Sequence, residues 1–238
     1  MKSTSRPVKK KQTGLSSIPA SYWLIGIIAG MMALALIVLL SMNRPITVDP
    51  NLASGNVLGN ADAPITISEF ADFQCPACGQ FARQTLPQIE EKYIKTGKVK
   101  WVFNHFAFLG QNTTDPAKLA LFNEFRDESI RAAEASECAN DQGKFWEYAN
   151  TLFANQAGEN QGAFRDEKLL EFAQQLDLNM DQFKACMDNR THLAKIQQSN
   201  NYARSIDIPG TPSIFVNGTL VSGSSLAAIE RALQPYLK

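Results

Sequence analysis

Histidine is nearly missing from this 238-residue chain, which has two, and cysteine is scarce, with four. A zinc centre draws four ligands from such residues at matched spacing. Here Cys75 and Cys78 have no second CxxC to meet, Cys138 and Cys186 stand far along the chain, and His105 and His192 fall in unrelated stretches. No ligand set completes a metal site around the first pair, and no metal or other cofactor is expected. Net charge is missing as well, with 23 basic residues against 23 acidic ones. Residues 1–44 hold six of the basic residues and none of the acidic, so the remainder is acidic by six. A nucleic-acid surface needs a basic stripe on the folded part, and none is expected here. Repeats and low-complexity tracts are absent too. With 45% hydrophobic and 19% charged residues, the chain can bury a full core in one or two domains.

Charge also vanishes from Tyr22 to Leu40, the run "YWLIGIIAGMMALALIVLL". At 1.5 Å per residue it would extend roughly 28 Å as a helix, about the thickness of a bilayer's hydrocarbon core. Lys2, Arg6, Lys9, Lys10 and Lys11 precede it. An excess of Lys and Arg on one flank keeps that end cytoplasmic. A cleaved signal peptide is the rival reading. Against it, the run is long for a signal core, and "LLSMNRP" offers neither a small-x-small cleavage site nor a lipobox cysteine. The expected layout is a basic cytoplasmic tail over 1–21, a transmembrane anchor over 22–40, a linker over 41–55 and an extracytoplasmic domain over 56–238. Disulfides persist outside the cytosol, so four cysteines there suggest two bridges. The local pairing is Cys75 with Cys78, which leaves Cys138 with Cys186.

Within the domain, "PITISEFADF" alternates and is rich in β-branched residues, which predicts a strand over 64–71. Phe81, Leu86, Ile89 and Tyr93 then recur at near-helical spacing up to Gly97, and "KVKWVFNHFAF" reads as a second strand. Strand, helix, strand over this length is a βαβ unit with parallel strands. Residues from about 112 to 205 read as a helical insertion. "PSIFVNGTLV" returns to β character, with Asn217-Gly218 as a hairpin turn, before a last amphipathic helix.

A lone CxxC beside a βαβ unit reads as a redox motif. Cys75 should sit at the helix N-terminus, where free N–H groups and the helix dipole favour a thiolate, and serve as the exposed nucleophile. Cys78, one turn in, should be more buried and act as the resolving thiol. Pro76 suits the first helical turn. Six residues before Cys75, Glu69 interrupts an apolar stretch. Most glutamates are simply solvated, but a partly buried carboxylate below the pair could pass protons to or from Cys78. Thr211-Pro212 stands directly before the returning strand. Its place between insertion and hairpin favours a cis bond, although only about 5–6% of X-Pro bonds are cis. His105 reads as a packed strand residue.

Taken together, "EFADFQCPAC", "CANDQGKFWEY", Cys186 and "GTPSIFVNG" resemble the DsbA-like thioredoxin-fold thiol:disulfide oxidoreductases, in their order along residues 56–237. The resemblance implies an α/β fold, a thioredoxin fold carrying an inserted helical subdomain. It implies Cys75 as nucleophile, Cys78 as resolving cysteine and Glu69 as buried acid, with Pro76, Ala77, Thr211 and Pro212 lining a peptide groove around a cis proline. It further implies Cys138–Cys186 as a disulfide inside the insertion. Closing that loop of roughly 49 residues would be worth roughly 4 kcal/mol in the chain-entropy view. Its implied partners are reduced or misoxidised exported proteins and a membrane quinone-linked protein that reoxidises the pair. One departure stands out: strong oxidants of the family carry Pro-His between the cysteines, whereas this chain has Pro76-Ala77 and lacks that cation. A dithiol oxidase is the leading expectation; a reductase or isomerase of the same fold, or a non-catalytic peptide-binding module, are the alternatives.

Overall fold

The alternating run after Pro64 becomes the central strand of a six-stranded sheet in the computed structural model, which describes residues 20–42, 53–54, 56–109 and 128–237. Residues 1–19 of the expected basic tail, most of the expected linker and the first part of the expected insertion lie outside the described residues.

The chain divides into two units, Met1–Arg44 and Pro45–Lys238. In the first, helix α1 (Ala20–Met42) contains 23 residues and no charged side chain. Within the span where side chains are described, no helix is long and apolar enough to cross a membrane.

In the second unit, β1 (Ala53–Ser54) and β2 (Val57–Leu58) form a short antiparallel edge, so pairing begins inside the stretch expected as linker. β3 (Ile65–Ala71) runs parallel to β4 (Val99–His105) and antiparallel to β5 (Ser213–Val216), which continues into β6 (Thr219–Leu220). The sheet order is β1-β2-β4-β3-β5-β6. β3 is therefore flanked on both edges, which is why a seven-residue strand can hold a buried carboxylate in fixed register: Glu69 pairs with Phe103 on one side and Ile214 on the other. The hairpin turns at Asn217 and Gly218, with φ of 46° and 81°. This left-handed pair is the requirement that makes Asn-Gly a two-residue turn. Asn217 also ties the turn to β3, accepting at Oδ1 from Thr66 N and donating its own N–H to Thr66 O.

Between β3 and β4, one continuous helix would satisfy the spacing, but the chain forms three pieces: α2 (Pro76–Gln84), α3 (Leu86–Ile89) and a π-helical segment over Glu90–Ile94. The interruption falls at Thr85, just before Pro87, whose missing N–H cannot continue an α-helical ladder. The described part of the insertion is wholly helical: α4 (Glu128–Asn140), α5 (Phe145–Ala154), α6 (Asp166–Gln175), α7 (Met180–Asp188) and α8 (Leu193–Ser205). After the hairpin, α9 (Leu226–Leu233) starts at Ser225, whose side chain accepts from Ala228 N, and packs on β5.

One large apolar cluster spans sheet and insertion. Ile67, Trp101 and Phe103 from the strands meet Phe145, Tyr148 and Leu152 of α5 and Phe183 of α7, all essentially without solvent exposure. At roughly 1.5–3 kcal/mol per fully buried large apolar side chain, this shared core welds the insertion to the sheet. A smaller cluster of Phe70, Phe106, Ala203 and Ile208 fastens α8. The α/β thioredoxin-like arrangement with helices inserted between β4 and β5 follows from these contacts.

Candidate functional site

The site begins where β3 ends. Asp72 O accepts from Cys75 N at 3.0 Å, and Asp72 Oδ1 accepts from Gln74 N at 2.9 Å. This Asx-type turn reverses the chain over three residues and delivers Cys75 as the N-cap of α2, with Pro76 at the first helical position. Gly79 N closes the first turn on Cys75 O at 3.1 Å. Cys78 thus lies one turn into the helix.

Both thiols are free. Contrary to expectation, Cys75 is not exposed: it retains 7% of its surface, against 0% for Cys78. The Thr211 loop closes over it, and with both side chains buried the difference between the two cysteines is electrostatic more than steric. The hydrogen bond from Cys78 draws Cys75 down to about 6. Burial opposes that shift, while Thr211 and the N–H groups of Cys78 and Ala77 add to it. These N–H groups are the orphan donors of a helix start. Burial pushes Cys78 the other way, well above the usual thiol range, and the charges of Cys75 and Glu69 reinforce the rise.

Glu69 is more deeply buried than the sequence suggests, at 2% exposure. Trp101 Nε1 donates to its Oε2 at 3.1 Å, while Oε1 has no hydrogen-bond partner among the described residues. Burial raises its pKa to about 8, with Trp101 lowering it and the Cys75 charge raising it further. A carboxyl held protonated near neutrality beside a high-pKa thiol can give and take a proton.

Thr211 and Pro212 approach from the other side. Their peptide bond is cis, and the Cys75 thiol donates to Thr211 O at 3.3 Å. The loop and the hairpin border a hollow of about 420 Å³ lined by Gly210, Thr211, Pro212, Leu220 and Val221. Pro76 and Ala77 occupy the first turn of α2, where Ala77 presents no charge to Cys75.

Several residues that the sequence reading passed over hold this arrangement. Asp72, 1% exposed, also accepts from Phe108 N and Leu109 N at 2.9 Å and from Ser129 Oγ at 2.8 Å. Burial pushes it up to about 6, and those donors limit the rise. Gln74 donates to Ser129 Oγ at 2.8 Å. Gln156, from the loop after α5, donates to Phe73 O at 2.7 Å and Cys75 O at 2.9 Å. A Cβ at Gly79 would run into Gln156 Oε1, so any larger residue in the first turn of α2 would displace the Gln156 amide from these carbonyls. An acidic residue inside an apolar run was the signal that picked out Glu69, and it applies equally to Asp72. Gln74 and Gln156 carry no such signal.

His105 lies among Phe73, Phe103 and Phe145 with its Nε2 2.9 Å from Glu137 Oε1. Burial pulls Glu137 up, but His105 and Lys195 together hold it down to about 2. Elsewhere in the insertion, Cys138 of α4 and Cys186 of α7 are joined by a disulfide with a Cα–Cα distance of 5.9 Å.

A stabilised thiolate beside a thiol held protonated, with a buried carboxyl close to both, is an arrangement suited to thiol–disulfide exchange. Similarity to known proteins sets the class as DsbA-like thiol:disulfide oxidoreductases. The thioredoxin family profile matches residues 52–234, and the chain belongs to that family. It is 27% identical to disulfide bond formation protein D of Bacillus subtilis over 200 residues, covering 82% of this chain and 83% of that one. The crystal structure of oxidised BdbD from the same organism shares the fold with a TM-score of 0.65 and 24% identity, over 81% of this chain and 97% of that one. The chain is also 34% identical to the Na(+)/H(+) antiporter NhaA 3 of Salinispora tropica over 73% of its own length, but spans only 23% of that protein.

Proposed function

We propose that the protein is a membrane-anchored dithiol oxidase that introduces disulfides into exported proteins. The observation that carries the direction is the asymmetry of the thiol pair. A thiol with a pKa of about 6 is about nine-tenths ionised at pH 7. Stabilising the thiolate stabilises the reduced form, which makes the disulfide form the better oxidant.

In the proposed cycle, a substrate thiolate attacks Cys75 Sγ of the Cys75–Cys78 disulfide and Cys78 leaves. Cys78, a poor leaving group as a bare thiolate, takes a proton that Glu69 is placed to supply. The substrate's second thiolate then attacks the substrate sulfur of the mixed disulfide and expels Cys75 as a stabilised thiolate. Two electrons pass from the substrate dithiol to the enzyme, which leaves reduced and needs an electron acceptor. A quinone-linked membrane protein fits that need. Pro76, Ala77, Thr211 and Pro212 border the approach to Cys75 and are assigned to substrate contact; Cys138–Cys186 is assigned to structure.

The anchor is supported by the uncharged 23-residue α1 and the basic run before it. That polarity sets the tail at 1–21 in the cytoplasm and the domain of 56–238, with its insertion over about 112–205, outside. Disulfide reduction or isomerisation is the second reading, favoured by the missing cation at Ala77. Oxidative refolding of a reduced two-cysteine protein separates the readings. The oxidised enzyme should restore native disulfides stoichiometrically and Cys75→Ser should not; equal refolding by that variant would end the proposal.

A further inference from the structure

One corner of the helical insertion holds chemistry that thiol exchange at Cys75 does not use. Cys138 lies near the end of α4, and Asp141 follows directly after that helix. Cys186 lies near the end of α7, and His192 immediately precedes α8. The two sulfurs and a ring nitrogen of His192 all lie within 4.8 Å of one another, the one such group among the described residues. His192 Nε2 is 2.8 Å from Asp141 Oδ2, and that oxygen is 3.8 Å from Cys186 Sγ.

We propose that Cys138, Cys186, His192 and Asp141 form a redox-gated binding site for a zinc-class divalent cation. Two thiolates, an imidazole and a carboxylate are the donor types that Zn²⁺ accepts in four-coordinate sites. While the sulfurs are bonded to each other they have no charge to offer, and the site is shut. Reduction by a dithiol transfers two electrons and two protons to the bridge, giving two thiols and the reductant's disulfide. Zn²⁺ then displaces two protons and forms two Zn–S bonds. At about 2.3 Å per Zn–S bond, sulfur ligands of a tetrahedral ion stand roughly 3.8 Å apart. With the two Cα atoms 5.9 Å apart, that spacing is within reach of side-chain rotation about Cα–Cβ once the bridge is reduced.

Burial matches this role. Cys138 and Cys186 keep 1% and 8% of their surface, which shields the thiolates, whereas the His192 and Asp141 side chains keep 17% and 40% and open a path from solvent. Asp141 serves either as fourth ligand or as the carboxylate that orients the imidazole. The bound ion would close the same loop, of 48-residue separation, that the disulfide closes. The fold would then keep its staple in either redox state, covalent when oxidised and metallic when reduced. The proposal does not depend on the direction of exchange at Cys75.

The test uses the full chain carrying Cys75→Ser and Cys78→Ser, so that the other thiols cannot contribute, reduced with a phosphine and freed of metal. Co²⁺ is the spectroscopic probe and Zn²⁺ affinity is read by competition with a chromogenic chelator. The reduced protein should bind one Co²⁺ with thiolate-to-metal charge-transfer absorption and tetrahedral d–d bands, and the oxidised protein none. His192→Ala should weaken Zn²⁺ binding at least tenfold and Asp141→Asn about tenfold. If the reduced apo-protein is loosened, Zn²⁺ should restore its helical circular dichroism. The proposal is overturned by absent charge-transfer absorption, by equal binding to the oxidised protein, by unchanged affinity in His192→Ala, or by a loosened apo-protein that Zn²⁺ fails to restore.

Discussion

Cys75 and Cys78 share one helical turn, whereas Cys138 and Cys186 sit on two helices and close a loop of 48-residue separation. The first pair is free, gains almost nothing in chain entropy from closing and is held between opposite electrostatic demands. The second is closed and buried, and its value lies in the unfolded chain it restrains. Two pairs of like sulfurs thus differ according to what surrounds them. A helix start, the Thr211 loop and a buried acid surround the first pair; two packed helices hold the second.

This contrast can be broken by substitution. The largest effect is expected from Cys75→Ser, which should reduce dithiol oxidation to background while changing unfolding stability by about 1 kcal/mol or less. The double substitution Cys138→Ser with Cys186→Ser should do the reverse in denaturant titrations. In metal-free buffer it should lose roughly 4 kcal/mol of stability and keep its exchange chemistry. Glu69→Gln comes next. A carboxyl raised from 4.5 in the unfolded chain to about 8 in the folded one costs stability as pH rises through that window, because the unfolded state loses its proton first. The variant should gain on the parent by on the order of 3 kcal/mol between pH 4.5 and 7, read as the difference of their pH–stability curves, and should exchange disulfides more slowly. A smaller sharpening comes from alkylation: the rate at Cys75 should rise with a midpoint near pH 6, and Thr211→Ala should shift that midpoint upward by less than about one unit.

Much of this contrast was legible in the sequence, and the reason is local. The strand before the cysteines, the parallel strand after them, the Asn217-Gly218 hairpin and the helical insertion each declare themselves within a dozen residues. Glu69 stood out because charge is costly in an apolar strand. The continuous helix after Cys78 did not form, since Pro87 acts inside it, and Cys75 proved covered by a loop that arrives 136 residues later. Asp72 carried the same signal as Glu69, but what it, Gln74 and Gln156 hold together was invisible for the same reason. Their distant partners, among them Leu109, Ser129, Asn160 and Cys75, stand 35 to 86 residues away, and a polar side chain reads as solvated until its partner is placed. His105 and Glu137 likewise read as ordinary until the fold packed them together.

Mass spectrometry after acid quench and thiol alkylation, across a graded glutathione redox series, compares the two pairs in a single sample. Cys75–Cys78 should be half reduced at a potential more oxidising than about −200 mV, while Cys138–Cys186 stays closed throughout the series, as structural disulfides below about −300 mV do. A Cys75–Cys78 midpoint at or below about −270 mV, the thioredoxin range, or opening of Cys138–Cys186 before the helical pair, would contradict the assignment of oxidant and staple.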